Sequence, residues 1–245
     1  MDSKLITKIE EVSRYISLIK KGFTFAIIPA RGSSKTIKNK NIKKLNGQPL
    51  ITYSINHALS SNHINEVYVT SDSEDILKIG EEFGAKSIKR PDELSGDVIM
   101  PDPAILHALL KIADNENILP ECTVMLQPTS PLRNVKLIDA SILKVLSGNY
   151  KSSISATKSH YFIWEKDSNN NWIPPYEFNK RPRRQDFDQV KETGSFYAFK
   201  TIDFLKTGDR LIKPVDLQIT SEEESYEIDT PLDWVIMEQL IKKND

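Results

Sequence analysis

One cysteine, Cys122, stands in 245 residues. It cannot close an internal disulfide, so the fold needs no oxidising compartment. No stretch approaches the roughly 18 apolar residues that a membrane span requires. The opening segment, MDSKLITKIEEVSRYISLIKKG, is charged throughout and lacks the apolar core of a signal peptide. Both absences point to the cytoplasm and away from a membrane. An excess of positive charge is missing too: 33 Lys+Arg stand against 34 Asp+Glu, whereas a general nucleic-acid binder is normally basic. Neither GxxxxGK[ST] nor GxGxxG occurs, which disfavours a P-loop NTPase and a dinucleotide-binding domain. There is no internal repeat. What is present, 39% hydrophobic and 27% charged residues, suffices for a real core and excludes a disordered chain.

Leu5, Ile9, Val12, Ile16 and Ile19 form one apolar stripe, predicting an N-terminal helical extension over residues 1–22 that Gly22 ends. From residue 23 the pattern changes to short apolar runs alternating with helical periods. FTFAIIP (23–29), VYVTS (67–71), KSIK (86–89) and TVMLQ (123–127) read as strands. Residues 49–60, 73–83, 102–113 and 134–147 read as helices, with Ser73 a cap and Gly84 a stop. Alternation of this kind predicts a mostly parallel sheet covered on both faces, with a ligand site beyond the carboxyl ends of its strands. The loops 30–47, 71–73 and 128–133 leave such ends. Residues 160–190 are aromatic, Asn-rich and Pro-rich without a period, and suggest an ordered lid or oligomer contact. SFYAFK (195–200) reads as a late strand and 231–243 as a closing helix.

The near-neutral balance hides a segregation. Residues 31–44, RGSSKTIKNKNIKK, contain six cations and no acid; residues 221–233, SEEESYEIDTPLD, contain six acids and no base. A charge run is usually a solvated face. The basic run, however, follows a buried strand, where amides and ammonium groups can converge on phosphates. Glu227 and Asp229 are two residues apart, so on extended backbone both side chains project to one side, as a hard divalent cation requires. A nucleoside triphosphate with Mg²⁺ needs both features. His57 and His107 fall inside helical patterns and read as structural; Cys122, opening a core strand, reads as inert.

Seven segments carry a resemblance: IPARGSSKTIKNKNIKKLNGQPLITYSI (28–55), VTSDSEDI (69–76), KRPDELSGD (89–97), LQPTSPLR (126–133), RRQDF (183–187), GSFYAF (194–199) and EIDTPLDW (227–234). In this order and spacing the sequence resembles the acylneuraminate cytidylyltransferases, or CMP-sialic acid synthetases, over about residues 24–240. The resemblance implies a three-layer, Rossmann-like α/β nucleotidyltransferase domain (23–245) with a mostly parallel mixed sheet and a small dimerisation insertion at about 158–192. It implies that CTP and a nine-carbon 2-keto sugar acid give CMP-sugar and pyrophosphate, the anomeric hydroxyl attacking the α-phosphorus, with Mg²⁺ or Mn²⁺ and in a homodimer, for cell-surface glycan synthesis.

Residue by residue, the resemblance gives Arg31 and Lys40 the triphosphate and catalytic role. The amides near Ser33 and Ser34 would cradle phosphate, and Asn41 and Arg90 would contact the cytidine. Gln127, Arg183 or Arg184, and Tyr197 would meet the sugar. Asp229, with Glu227, would hold the metal. Departures are Thr36 where the family usually has Gly, Lys38 for a common Pro, Glu227 for an Asp, and Thr193 for the Asn preceding Gly194. Thr36 would resist a positive φ, and Thr193 falls near the expected sugar pocket. Three rivals stand beside this reading: a CMP-Kdo synthetase-like enzyme, a non-catalytic nucleotide-binding homologue, and a glycosyltransferase with a DxD metal motif.

Overall fold

A computed structural model of the chain describes residues 14–96, 99–183 and 186–244. Seven strands form the main sheet: β1 (Ile19–Pro29), β4 (Glu66–Ser71), β5 (Lys86–Lys89), β6 (Leu119–Leu126), β7 (Ser152–Ser159), β10 (Gln189–Lys200) and β11 (Val215–Thr220). Their order is β11-β7-β10-β6-β1-β4-β5. β10 is antiparallel to both of its neighbours, β6 and β7, while the other pairings are parallel. The central strands bury both faces, which is why Phe25–Ile28 and Val67–Val69 read as continuous apolar runs.

Helices α1 (Leu50–Leu59), α2 (Glu74–Glu82) and α4 (Val135–Leu146) cover one face. Ile51, Ile55, Ile76, Ile138 and Ile142 meet Ala26, Ile28 and Val69 there. On the other face α3 (Pro101–Glu116) and α5 (Thr201–Thr207) set Ile105, Leu109, Ile112 and Phe204 against Phe25, Ile27 and Tyr68. The result is the three-layer α/β architecture expected. A third cluster joins α6 (Pro231–Asn244) to the loop after β1: Trp234, Met237 and Ile241 pack with Ile37, Leu45 and Ile228. Within that loop β2 (Lys44–Leu45) and β3 (Gln48–Pro49) form a minimal hairpin. Its turn is Asn46-Gly47, both at positive φ, the geometry that a two-residue turn of this type demands.

The sequence reading is corrected at the start of the chain. Leu5, Ile9 and Val12 lie outside the described residues, but Gly22 does not end a helix. β1 already begins at Ile19, and Gly22 sits inside it at φ +75°, where the register with β6 shifts between Lys20 and Thr24. It is a bulge glycine. Three further elements escaped the pattern reading. β7 is SSISATKS, a buried strand with no apolar period. Its hydroxyls are paired instead: Ser152 Oγ donates to Arg210 O at 2.8 Å and Ser153 Oγ to Asp216 Oδ2 at 2.7 Å. β11 and α5 were likewise unassigned. The aromatic segment is an arm whose regular part is a hairpin, β8 (Glu165–Lys166) and β9 (Trp172–Ile173). Phe162 holds it together through Tyr176 and Phe187, with ring centroids at 5.0 and 4.9 Å.

Candidate active site

A cleft of about 280 Å³ opens beyond the carboxyl ends of β1, β5 and β6. Its first wall is the basic loop, which contributes Arg31, Ser33, Ser34, Lys40 and Asn41. Three contacts fix the course of this loop. Ala30 N donates to Thr70 O at 3.0 Å, Gly32 N to Asp72 Oδ1 at 2.9 Å, and Asn41 Nδ2 to Arg31 O at 2.9 Å. Gly32 is required by close approach, since a Cβ there would stand 2.9 Å from Ser73 Cβ. Before the hairpin turn, the left-handed position in the loop is taken by Asn39, φ 53°, and not by Thr36. Thr36 therefore bears no strain of the kind its β-branch predicted.

Arg90, which follows β5, forms the second wall. It is 4% exposed, and its Nη2 lies 3.5 Å from Asp72 Oδ1. Burial lowers its pKa, an effect that Asp72 opposes. Its Nε is buried without a hydrogen-bond partner. Asp72 itself is held below the usual carboxylate range: the Gly32 amide and Arg90 outweigh the opposing effect of its burial. One carboxylate thus shapes both walls.

The third wall joins Gln127, at the end of β6, to Glu227 and Asp229. Here the acidic strip meets the basic loop. Lys40 Nζ donates to Ile228 O at 2.7 Å and lies 3.3 Å from Asp229 Oδ1. Ile228 points into the α6 cluster and is fully buried, so residues 227 and 229 both face the cleft as their spacing predicted. Thr230 and Asp233 start α6 with a reciprocal capping box: Thr230 N donates to Asp233 Oδ2 at 2.7 Å and Asp233 N to Thr230 Oγ1 at 3.3 Å. Asp233 also takes the Asp229 amide at 3.0 Å, which orients the carboxylate-bearing turn. Glu227 accepts from Ser130 Oγ at 3.4 Å. Burial, and then the charge of Asp229, raise its pKa to about 6. A cation between the two carboxylates would relieve that repulsion, so the donor set fits a hard divalent ion that keeps positions for phosphate oxygens. Among the described residues no group of three or more His, Cys, Asp or Glu could hold a metal without such help.

The cleft thus gathers nine of the expected residues: Arg31, Ser33, Ser34, Lys40, Asn41, Arg90, Gln127, Glu227 and Asp229. Two others are elsewhere, and Arg184 lies outside the described residues. Tyr197 is 2% exposed and packs in the core beneath α3. Its hydroxyl donates to Glu192, and Arg210 stacks 4.5 Å from its ring centroid. Arg183 projects from the arm and is paired with Asp186 Oδ2 at 2.6 Å. Thr193 is also turned away, its hydroxyl 2.7 Å from Ser155 Oγ. Sequence reasoning passed over Asp72, Arg133 and Gly194, although the segments VTSDSEDI, LQPTSPLR and GSFYAF carry all three. The assignments of His57 and Cys122 hold. The His57 Nδ1 is sealed without a partner, and complete burial pushes the Cys122 thiol up to about 12.

A mostly parallel three-layer sheet, with a cation-bearing loop after its first strand and carboxylates brought opposite, has the architecture of a nucleotidyltransferase. The cytidylyltransferase family model matches residues 25–171, and the chain belongs to that family. It is 33% identical over 223 residues to N-acylneuraminate cytidylyltransferase B of Danio rerio, covering 88% of this chain and 51% of that protein. It is 32% identical over 192 residues to pseudaminic acid cytidylyltransferase of Campylobacter jejuni, covering 77% of this chain and 82% of that one. The chain thus spans about half the length of the N-acylneuraminate relatives it matches. Among solved structures, CMP:2-keto-3-deoxy-manno-octonic acid synthetase complexed with CTP superposes with a TM-score of 0.69 at 14% identity, over 91% of this chain and 100% of that one. At that identity the likeness concerns the fold. Among the described residues no helix is long and apolar enough to cross a membrane.

Proposed function

We propose that the chain transfers CMP from CTP to a nonulosonic acid, releasing pyrophosphate, in the cytoplasm. The observation that carries this reading is the meeting of Arg31 and Lys40 with Glu227 and Asp229 across one cleft, with Gln127 on the wall between. Arg31 and Lys40 neutralise the triphosphate and the charge that develops on the leaving pyrophosphate. The amides at Ser33 and Ser34 orient phosphate oxygens. Arg90, on the second wall of the cleft, meets the nucleotide, while Asn41 acts through the Arg31 backbone it holds. Asp229 and Glu227 are the residues that would hold Mg²⁺ or Mn²⁺, which supplies charge stabilisation at the α-phosphate. Gln127 orients the sugar so that its anomeric hydroxyl lies in line with the bond to be broken.

The exposed aromatic arm supports a homodimer. Arg183 belongs to this arm and reaches a sugar carboxylate when the arm is presented to the cleft of a second copy, with Arg184 the alternative for that contact. The test is pyrophosphate release with CTP, Mg²⁺ and a panel of acids: N-acetylneuraminate, legionaminate, pseudaminate and Kdo. Turnover on a nonulosonate is expected. Turnover on Kdo alone would favour the CMP-Kdo reading, and CTP binding with silence across the panel would favour a non-catalytic homologue. Absence of CTP binding would sink the site.

A further inference from the structure

Arg133 has no task in the scheme above, yet it is 8% exposed and lies directly beneath the cleft. All of its described hydrogen bonds go to neutral oxygens. Nε and Nη2 both donate to Ser195 O, at 3.2 and 3.0 Å. Nη2 also donates to Gln127 O, and Nη1 donates to Ser54 Oγ at 3.0 Å. Burial draws its pKa down to about 9, with Glu227 acting against this through space. A buried guanidinium without a contacting carboxylate costs free energy that only a full set of acceptors offsets.

The acceptors are informative. Gln127 and Ser195 mark the fork at which β6 and β10 separate. The Gln127 amide donates to the same Ser195 carbonyl at 3.2 Å, so the Gln127 backbone is held at its N–H by Ser195 and at its carbonyl by Arg133. One residue before Ser195, Gly194 stands at φ +70°. A Cβ there would lie 3.3 Å from Gln127 Nε2 and would collide with Glu227 Oε1. The two cleft side chains nearest the fork therefore sit against backbone that Arg133 holds. The opposite half of the cleft, around Arg31, Lys40 and Arg90, has its own brace in Asp72 and Asn41.

We propose that Arg133 is the positioning residue of the acceptor half of the cleft: by clamping the Gln127 and Ser195 carbonyls it sets the Gln127 side chain and the seat of Glu227 against Gly194, without touching substrate. That this half receives the acceptor rests on the function proposed above. Arg133→Lys keeps a charge but cannot span three acceptors in a planar fork.

The experiment compares wild type, Arg133→Lys and Ser54→Ala in three measurements. They are the CTP dissociation constant by calorimetry without acid, kcat/KM for the sugar acid at saturating CTP, and hydrogen exchange of the Gln127 amide. Arg133→Lys is expected to lower kcat/KM for the acid about 100-fold, the scale of a misplaced contact, with CTP affinity within twofold and faster exchange at Gln127. Ser54→Ala, which removes one acceptor of the guanidinium together with the hydroxyl's own 3.4 Å bond to Gln127 O, is expected to lower it about tenfold, and it carries the test if Arg133→Lys does not fold. Unchanged kcat/KM for the acid, or a parallel loss of CTP affinity, overturns the proposal. If wild type turns over no acid, the function proposed above fails, and exchange at Gln127 decides alone: unchanged protection in the variant then sinks the clamp.

Discussion

Gly194 carries the tightest steric constraint at the cleft. Its φ of +70° and the collision that a Cβ would make with Glu227 are independent reasons for glycine there. The left-handed conformation alone costs an alanine about 1 kcal/mol, and displacement of Glu227 adds to it. Gly194→Ala should therefore lower Tm by several degrees, about 2–4 °C for each kcal/mol in a chain of this size, and reduce acid turnover more than CTP binding. Calorimetry and steady-state kinetics on one preparation check both. Asp229→Ala removes the more exposed carboxylate, and a loss of about 4 kcal/mol of charge stabilisation corresponds to about 10³ in kcat. Near-normal turnover would refute its metal role. His57 gives a pH signature instead. Burial, and then the Arg133 charge, lower its pKa from 6.5 to about 3. The unfolded chain then takes up the proton more readily than the folded one. His57 thus contributes stability that is complete above pH 6.5 and declines as pH falls from there towards 3. Urea midpoints across that range should show a smaller decline in His57→Gln.

Among the elements, α2 shows packing overriding propensity. Gly80 lies within the last turn of the helix, where alanine is ordinarily better by up to about 1 kcal/mol. A Cβ at 80 would stand 3.1 Å from Val69 Cγ2 and 3.2 Å from Val69 Cβ, and Val69 is a fully buried residue of β4. Such a strand cannot yield, and overpacking costs about 1–3 kcal/mol. Gly80→Ala should be destabilising despite its helix propensity, and Val69→Ala should relieve it. A double-mutant cycle by urea denaturation should thus give a favourable coupling; additivity would show that the contact is slack. The same balance explains what the sequence discloses. β1, β4 and β6, with the helices between them, were legible because the sheet is covered on both faces there and their buried runs are apolar. β7 was not, since its serines are satisfied by hydrogen bonds to side chains and backbone of neighbouring elements and leave no hydrophobic period. Gly22 resembled a helix stop because a bulge and a C-cap use the same positive φ. Nine cleft residues were legible because they lie in the ordered motifs that carry the resemblance, several of them just after strand ends. Tyr197 was assigned through the resemblance alone, and here its side chain is turned to the core face of β10, beneath α3. Arg133 left no charge pattern, because its partners are carbonyls distant in sequence.

For the whole molecule the decisive question is what covers the arm. Tyr161, Trp172 and Phe178 are 67%, 61% and 68% exposed, although Phe162 at the arm's base is locked between Tyr176 and Phe187. An ordered segment that displays large aromatics on its surface has the character of an interaction surface, and aromatic residues are enriched where interfaces bury most. A second copy is the occupant consistent with the arm also carrying Arg183, whose pairing with Asp186 keeps it out of its own cleft. Replacing Trp172 and Phe178 by serine removes apolar area without touching the sheet or the three core clusters. Wild type should then sediment as a dimer with a Tm that rises with protein concentration. The double variant should sediment as a monomer with a concentration-independent Tm. Its CTP affinity should be unchanged, because every contact of the basic loop, Asp72 and Arg90 described above lies within one chain. Its acid turnover should fall, because the arm's arginines are no longer delivered. A variant that stays dimeric would place the interface elsewhere, and a monomeric variant with full acid turnover would remove Arg183 and Arg184 from the sugar site.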